Sequence, residues 1–112
     1  MAKEIKLLSP QAVWGYFYDL TQIPRLTEYL KTFGKEQGLE TLQDATGNVL
    51  IRKLATAGYE DRETVIMQSH VDMVPQKNAS VAHDFLTDPI DAYVDGEWVT
   101  ARETTLGADN GI

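Results

Sequence analysis

The chain has 112 residues, the length of one ordinary domain, with Lys and Arg numbering 10 against 17 Asp and Glu, for a formal net charge of -7. A chain of this size buries roughly two-thirds of the surface its unfolded form exposes, so a single core is within reach. With 43% hydrophobic and 24% charged residues and no Cys, it is neither disordered nor fibrous in composition. It can have no disulfide, thiolate zinc site, iron–sulfur cluster or thiol nucleophile, and its acidity removes the main electrostatic term of nucleic-acid binding.

Met1-Ala2-Lys3-Glu4-Ile5-Lys6 has charges with no apolar stretch behind it, so no signal peptide is expected. No apolar run approaches the roughly 20 residues of a spanning helix. The expected location is therefore a reducing cytoplasm, which the absence of Cys permits. Ser9-Pro10 reads as a helix start, with Ser9 as cap and Pro10 at the first helical position. Val13, Trp14, Phe17 and Leu20 then recur at helical spacing, and Ile23-Pro24 breaks the pattern. A second periodic set, Leu26, Tyr29, Leu30 and Phe33, ends before Gly38, which sits where a left-handed cap belongs. Both stripes read as core packing.

Strands follow. Residues 39–43 alternate apolar and polar, Thr46-Gly47-Asn48 is turn chemistry, and residues 48–53 form the return strand of a hairpin. Residues 57–63 are a polar loop. Residues 64–70 centre on the continuous apolar run Val65-Ile66-Met67, which suits a strand covered on both faces of an α/β sheet. Tyr93-Val94-Asp95-Gly96-Glu97-Trp98-Val99 predicts a hairpin with a type I′ turn at Asp95-Gly96, and Trp98 as a structural cross-strand aromatic.

Charge is unevenly placed. Residues 1–53 hold seven bases and six acids, whereas residues 54–112 hold three bases and eleven acids. The second half should attract cations, unless its acids simply form a solvated surface. Two short segments there carry the chemistry. In His70-Val71-Asp72, the two polar residues point the same way if the backbone is extended, so one site can hold both. A carboxylate beside an imidazole fixes its tautomer and strengthens it as a metal ligand; the plain alternative is a His satisfied by backbone. In Thr104-Thr105-Leu106-Gly107-Ala108-Asp109-Asn110-Gly111, two glycines flank an Asp-Asn pair and permit close approach, although read alone the same residues favour a plain turn. His83, Asp84, Asp88, Asp91 and Asp95 read as loop and turn residues. No serine has the setting of a hydrolase nucleophile, and no phosphate-binding loop is present.

Taken together, the run from Gln68 to Asn78, His83-Asp84-Phe85, Asp88-Pro89-Ile90, residues 95–99 and residues 104–111 closely resemble the aminoacyl-histidine (Xaa-His) dipeptidases, bacterial members of a superfamily of two-zinc peptidases. Leu8-Ser9-Pro10 through Tyr18, Ile23-Pro24 and residues 47–53 are also similar to this family, so the resemblance covers nearly all of the chain. It implies an α/β fold: the N-terminal part of a three-layer α/β/α zinc-peptidase catalytic domain, with a mixed sheet, two N-terminal helices and a peripheral hairpin. It implies metal-assisted hydrolysis of dipeptides of the Xaa-His type in the cytoplasm by the parent protein. Two zinc ions about 3.5–4 Å apart are expected, with cobalt or manganese as substitutes. His70 matches a zinc ligand, Asp72 the catalytic Asp that orients it, and Asp109 the carboxylate bridging both metals. The family often has a cis peptide after that carboxylate, here Asp109–Asn110.

The departures from the family also carry implications. The general-base Glu, further ligands and an inserted lid domain, through which the family forms homodimers, have no counterpart in residues 1–112. These residues thus read as an incomplete catalytic domain, inactive alone. The other reading is a non-catalytic binding module that keeps the fold and has lost the metal site. Only Arg25 separates Pro24 from Leu26, where the family has a longer connection, so a missing stretch or a deletion is expected there. Glu103 stands where the family has Gly.

Overall fold

The computed structural model describes residues 2–107. The chain divides into two compact units, residues 1–26 with 69–112 and residues 27–68. Helices and sheets coexist, as an α/β chain requires, and the sheets are two separate antiparallel hairpins among the described residues.

In the first unit, a short 3₁₀ helix at Ala2–Leu7 packs on helix α1, Gln11–Thr21. The sequence reading missed this 3₁₀ helix, whose Ile5 is fully buried. Lys6 Nζ ties it to α1 by a 2.7 Å ion pair with Asp19, and also lies 4.7 Å from the centre of the Tyr18 ring. The start of α1 differs from expectation. Pro10, not Ser9, is the cap residue, and no side chain caps the helix. Pro lacks an N–H but keeps its carbonyl, which accepts the Trp14 N–H at 3.3 Å. Of the predicted stripe, Leu20 is buried and Val13 exposed, while Trp14 and Phe17 meet edge to face with centroids 5.4 Å apart.

Ile5, Leu20, Leu26, Ile90 and Ala92 form the buried apolar core, joined by the buried polar Thr21. Thr21 is tolerated there because its groups are paired. Its hydroxyl donates to the Tyr18 carbonyl at 2.6 Å and accepts from Gln22, and its carbonyl accepts the Ile90 N–H at 2.8 Å. That last bond anchors the lead-in to the hairpin of β3 (Ala92–Asp95) and β4 (Trp98–Ala101). The hairpin is the one predicted, but its two-residue loop is Gly96-Glu97, one place later. Gly96 has φ +60 and Glu97 is not in the positive-φ region. A type I′ turn needs positive φ at both positions, so this pattern fits type II′. The register pairs Trp98 with Asp95 rather than with an aromatic, and Trp98 faces solvent, 77% exposed. Its structural role is thereby corrected.

In the second unit, helix α2 (Leu26–Glu36) leads into the hairpin of β1 (Glu40–Gln43) and β2 (Val49–Arg52). Helix and hairpin join as predicted at Gly38, φ +68. The Leu39 N–H bonds the Gly34 carbonyl and the Gly38 N–H bonds the Lys35 carbonyl, each at 2.9 Å, which is a Schellman closure. Tyr29 and Phe33 stack one turn apart with centroids 6.4 Å apart. Asp44 ties the hairpin turn: its carboxylate accepts from the Thr46 N–H, the Thr46 hydroxyl, the Asn48 N–H and the Asn48 side-chain amide.

The apolar run at residues 64–70 forms no strand. Val65, Ile66 and Met67 are 81%, 87% and 92% exposed. A strand of this composition needs neighbours on its edges and cover on its faces. Each hairpin is closed on its own partner strand and neither pairs with this segment.

Candidate metal-binding and catalytic site

The segment 69–76 has no regular secondary structure and leads from this exposed run into the first unit. The two side chains singled out there do meet. His70 Nδ1 lies 3.1 Å from Asp72 Oδ1 and 3.1 Å from the Asp72 carbonyl oxygen. Both groups are open to water, with side-chain exposures of 55% and 82%. Two oxygens facing one ring nitrogen favour the tautomer carrying its proton on Nδ1. In that tautomer Nε2 keeps its lone pair, the form in which an imidazole binds a cation.

The second segment is brought beside the first. Thr104 forms an isolated antiparallel bridge with Lys77. Gly107, φ +57, packs on Met73: a Cβ there would lie 3.0 Å from Met73 Cε and 3.1 Å from Sδ. A side chain at position 107 would require the end of the Met73 side chain to give way and would be strained at this φ, which glycine avoids. The contact places Gly107 against the residue that follows Asp72. Met73 is the element that sequence reasoning missed; its signal was an apolar residue following the His-x-Asp pair. Asp109, expected as the bridging ligand, and the Asp109–Asn110 peptide lie outside the described residues.

Asp84, Asp88 and Asp91 have structural partners, whereas Asp95, read from sequence as a loop or turn residue, is the last residue of strand β3. Asp84 Oδ1 accepts the Leu86 N–H at 2.9 Å, Asp88 Oδ2 accepts the Asp84 N–H at 2.8 Å, and Asp91 pairs with Arg102. His83 packs edge-on against Phe85 at 4.5 Å, and its Nε2 is buried without a partner among the described residues. A cavity of about 740 Å³ opens beside Arg52, Leu54, Tyr59 and Val65 and contains none of the expected site residues. Measured against a zinc centre, the described residues give one nitrogen donor with its carboxylate partner. Among them, no group of three His, Cys, Asp or Glu is placed to share an ion. A tetrahedral zinc site needs more donors than that.

No protein-family model matches the chain. The cytosol non-specific dipeptidase of Escherichia coli (strain K12) is 53% identical over 116 residues, covering 97% of this chain and 24% of that protein. The crystal structure of aminoacylhistidine dipeptidase from Vibrio alginolyticus superposes with a TM-score of 0.89 at 48% identity, covering 99% of this chain and 25% of that one. Over nearly its whole length this chain is similar to these two dipeptidases. The resemblance read from the sequence therefore holds, and so does the fold it implied, that of a peptidase-domain portion. The chain spans about a quarter of the length of these dipeptidases. The aligned length of 116 exceeds the 112 residues of this chain, so that dipeptidase has residues this chain lacks.

Proposed function

We propose that residues 1–112 are the N-terminal part of the catalytic domain of a cytoplasmic metallodipeptidase, and that the parent protein hydrolyses dipeptides of the Xaa-His type. The observation that carries this reading is 53% identity over 97% of the chain to a dipeptidase. The His70–Asp72 pair, with residues 104–107 folded beside Met73, supports it. In this reading His70 would hold a metal through Nε2, Asp72 accepts the Nδ1 proton and keeps the ring oriented, and Asp109 would be a further carboxylate ligand. Zinc, when bound, supplies a Lewis acid for the scissile carbonyl and lowers the pKa of bound water. The general-base Glu and the remaining ligands come from residues outside this chain, so the 112-residue chain alone does not turn over. The parent dimerises through its lid domain.

The test is release of free histidine from Xaa-His dipeptides by the full-length parent loaded with zinc. Expected are chelator-sensitive release, loss of about 10³-fold or more in His70→Ala, and a roughly 10–100-fold loss of metal affinity in Asp72→Ala. No chelator-sensitive release by the parent would overturn the enzyme reading and favour a binding module. Turnover by residues 1–112 alone would overturn the divided site.

A further inference from the structure

We propose that Met73 is a positioning residue for the metal site: its side chain, seated against Gly107, sets how far the segment 104–107 stands from the His70–Asp72 pair. The inference rests on the peptidase reading and deepens it. Met73 directly follows Asp72, and Gly107 precedes Asp109 by two residues, so the contact joins the two segments that carry the expected ligands. Both partners belong to one compact unit of this chain. A Cβ on Gly107 would stand 3.0 Å from Met73 Cε, 3.1 Å from Sδ and 3.7 Å from Cα. The thioether end and the Met73 backbone thus both lie against the glycine.

A side chain carries this spacing because the backbone does not. Among the described residues, the two segments pair at the single antiparallel bridge of Lys77 with Thr104. Between that bridge and the contact lie Val74, Pro75 and Gln76 on one side, and Thr105 and Leu106 on the other. Three residues against two cannot continue a regular ladder, and Pro75 has no N–H to give to one. Among the described residues, no backbone–backbone hydrogen bond is made by residues 70–76. Methionine suits such an irregular gap, because its unbranched, freely turning side chain moulds to what it meets. Truncating it opens a space beside Gly107, into which the facing segment can settle. A shift of about 1 Å is enough to cost a catalytic site roughly 10²-fold. Leucine, of similar volume, keeps the space filled.

The test compares the full-length parent with its Met73→Ala, Met73→Leu and Gly107→Ala variants. Expected for M73A are losses of about tenfold or more in zinc affinity, read by chelator competition, and in kcat, with KM within about twofold of wild type. In the metal-free protein, M73A quickens hydrogen exchange at residues 104–107 and leaves the rest at the wild-type rate, whereas a general loss of stability would quicken it throughout. M73L stays within about threefold of wild type in zinc affinity, kcat and exchange. G107A disturbs the same joint without removing the Met73 side chain, so the test does not depend on M73A folding; it lowers zinc affinity by about threefold or more. Four results would overturn the inference while the parent is active: M73A or G107A with wild-type zinc affinity, a loss in M73A confined to KM, exchange quickened uniformly, or M73L as impaired as M73A. A parent that neither binds zinc nor releases histidine overturns the peptidase reading and this inference with it.

Discussion

The imidazole of His70 turns its Nδ1 toward Asp72, 3.1 Å from the carboxylate and 3.1 Å from the same residue's main-chain oxygen. One proton cannot serve a ring nitrogen that itself offers a lone pair to two oxygens, so the arrangement fixes the proton on Nδ1. Removing the carboxylate leaves the carbonyl as the remaining acceptor, and both groups are solvated. The expected effect of Asp72→Ala is therefore modest, about a fivefold rise in the Nε2–H tautomer ratio, equivalent to about 1 kcal/mol. Nitrogen-15 NMR of the imidazole near neutral pH measures it. An unchanged tautomer ratio would show that Asp72 does not orient the ring.

What the sequence made legible is what local chemistry decides. Gly38 closes α2 because a left-handed residue is needed there, and Asp44 to Asn48 reads as a turn because short polar side chains bond the backbone nearby. Both hairpins are visible in alternation and turn residues. Decisions that depend on distant partners were not legible. The run at residues 64–70 has strand composition, but strand formation also needs a pairing edge. Ile5 disappears into the core through packing against α1 and β3, which no pattern within Ala2–Leu7 announces. At the site, the His70–Asp72 pair was readable from a spacing of two. The approach of Gly107 to Met73 spans thirty-four positions and was suggested only by the need for glycine.

Glu103 adopts φ +59 and is the one non-glycine residue with positive φ among those described. It is held there from both sides. Arg102 bonds Asp91 through its backbone N–H at 2.9 Å and its Nε at 3.0 Å, and its guanidinium lies 4.5 Å from the Tyr93 ring centre; Thr104 bridges to Lys77. A left-handed residue with a Cβ costs about 1–2 kcal/mol, part of which glycine returns through its freer unfolded chain. Glu103→Gly should stabilise the chain by about 1 kcal/mol and raise Tm by roughly 4–8 °C. A lower Tm in the melt would mean that the Glu side chain has a role outweighing its backbone strain.

The Asp44 carboxyl is held well below the usual carboxylate range, at about 2. The Asn48 side-chain amide is the largest cause, followed by the Thr46 hydroxyl and the Asn48 N–H. A depressed folded pKa means that the ionised form favours the folded turn. That contribution is complete above the unfolded value of 3.8 and is lost as pH falls from there through about 2. Carboxyl-detected NMR should give Asp44 a midpoint near 2, and hydrogen exchange at the Thr46 and Asn48 amides should quicken relative to the rest of the hairpin over the same interval. In Asp44→Ala the quickening should be present already at neutral pH. A midpoint near 4 would contradict the four-donor turn.

Gly34 lies in the last turn of α2, where alanine is normally better by about 1 kcal/mol. Here a Cβ would run into the Thr41 hydroxyl of β1 and lie 3.2 Å from Ile51 Cδ1 of β2. The Thr41 hydroxyl is not free to swing aside without cost, because it donates to the Leu39 carbonyl at 3.1 Å. Overpacking of this kind costs about 1–3 kcal/mol, so it outweighs the helix preference and Gly34→Ala should be destabilising by up to about 2 kcal/mol. Thr41→Ala opens the space, and the double variant should recover most of the loss, a coupling readable from denaturant midpoints in a four-member cycle. Additive effects of the two substitutions would place β1 farther from the helix than the close approach at Gly34 requires.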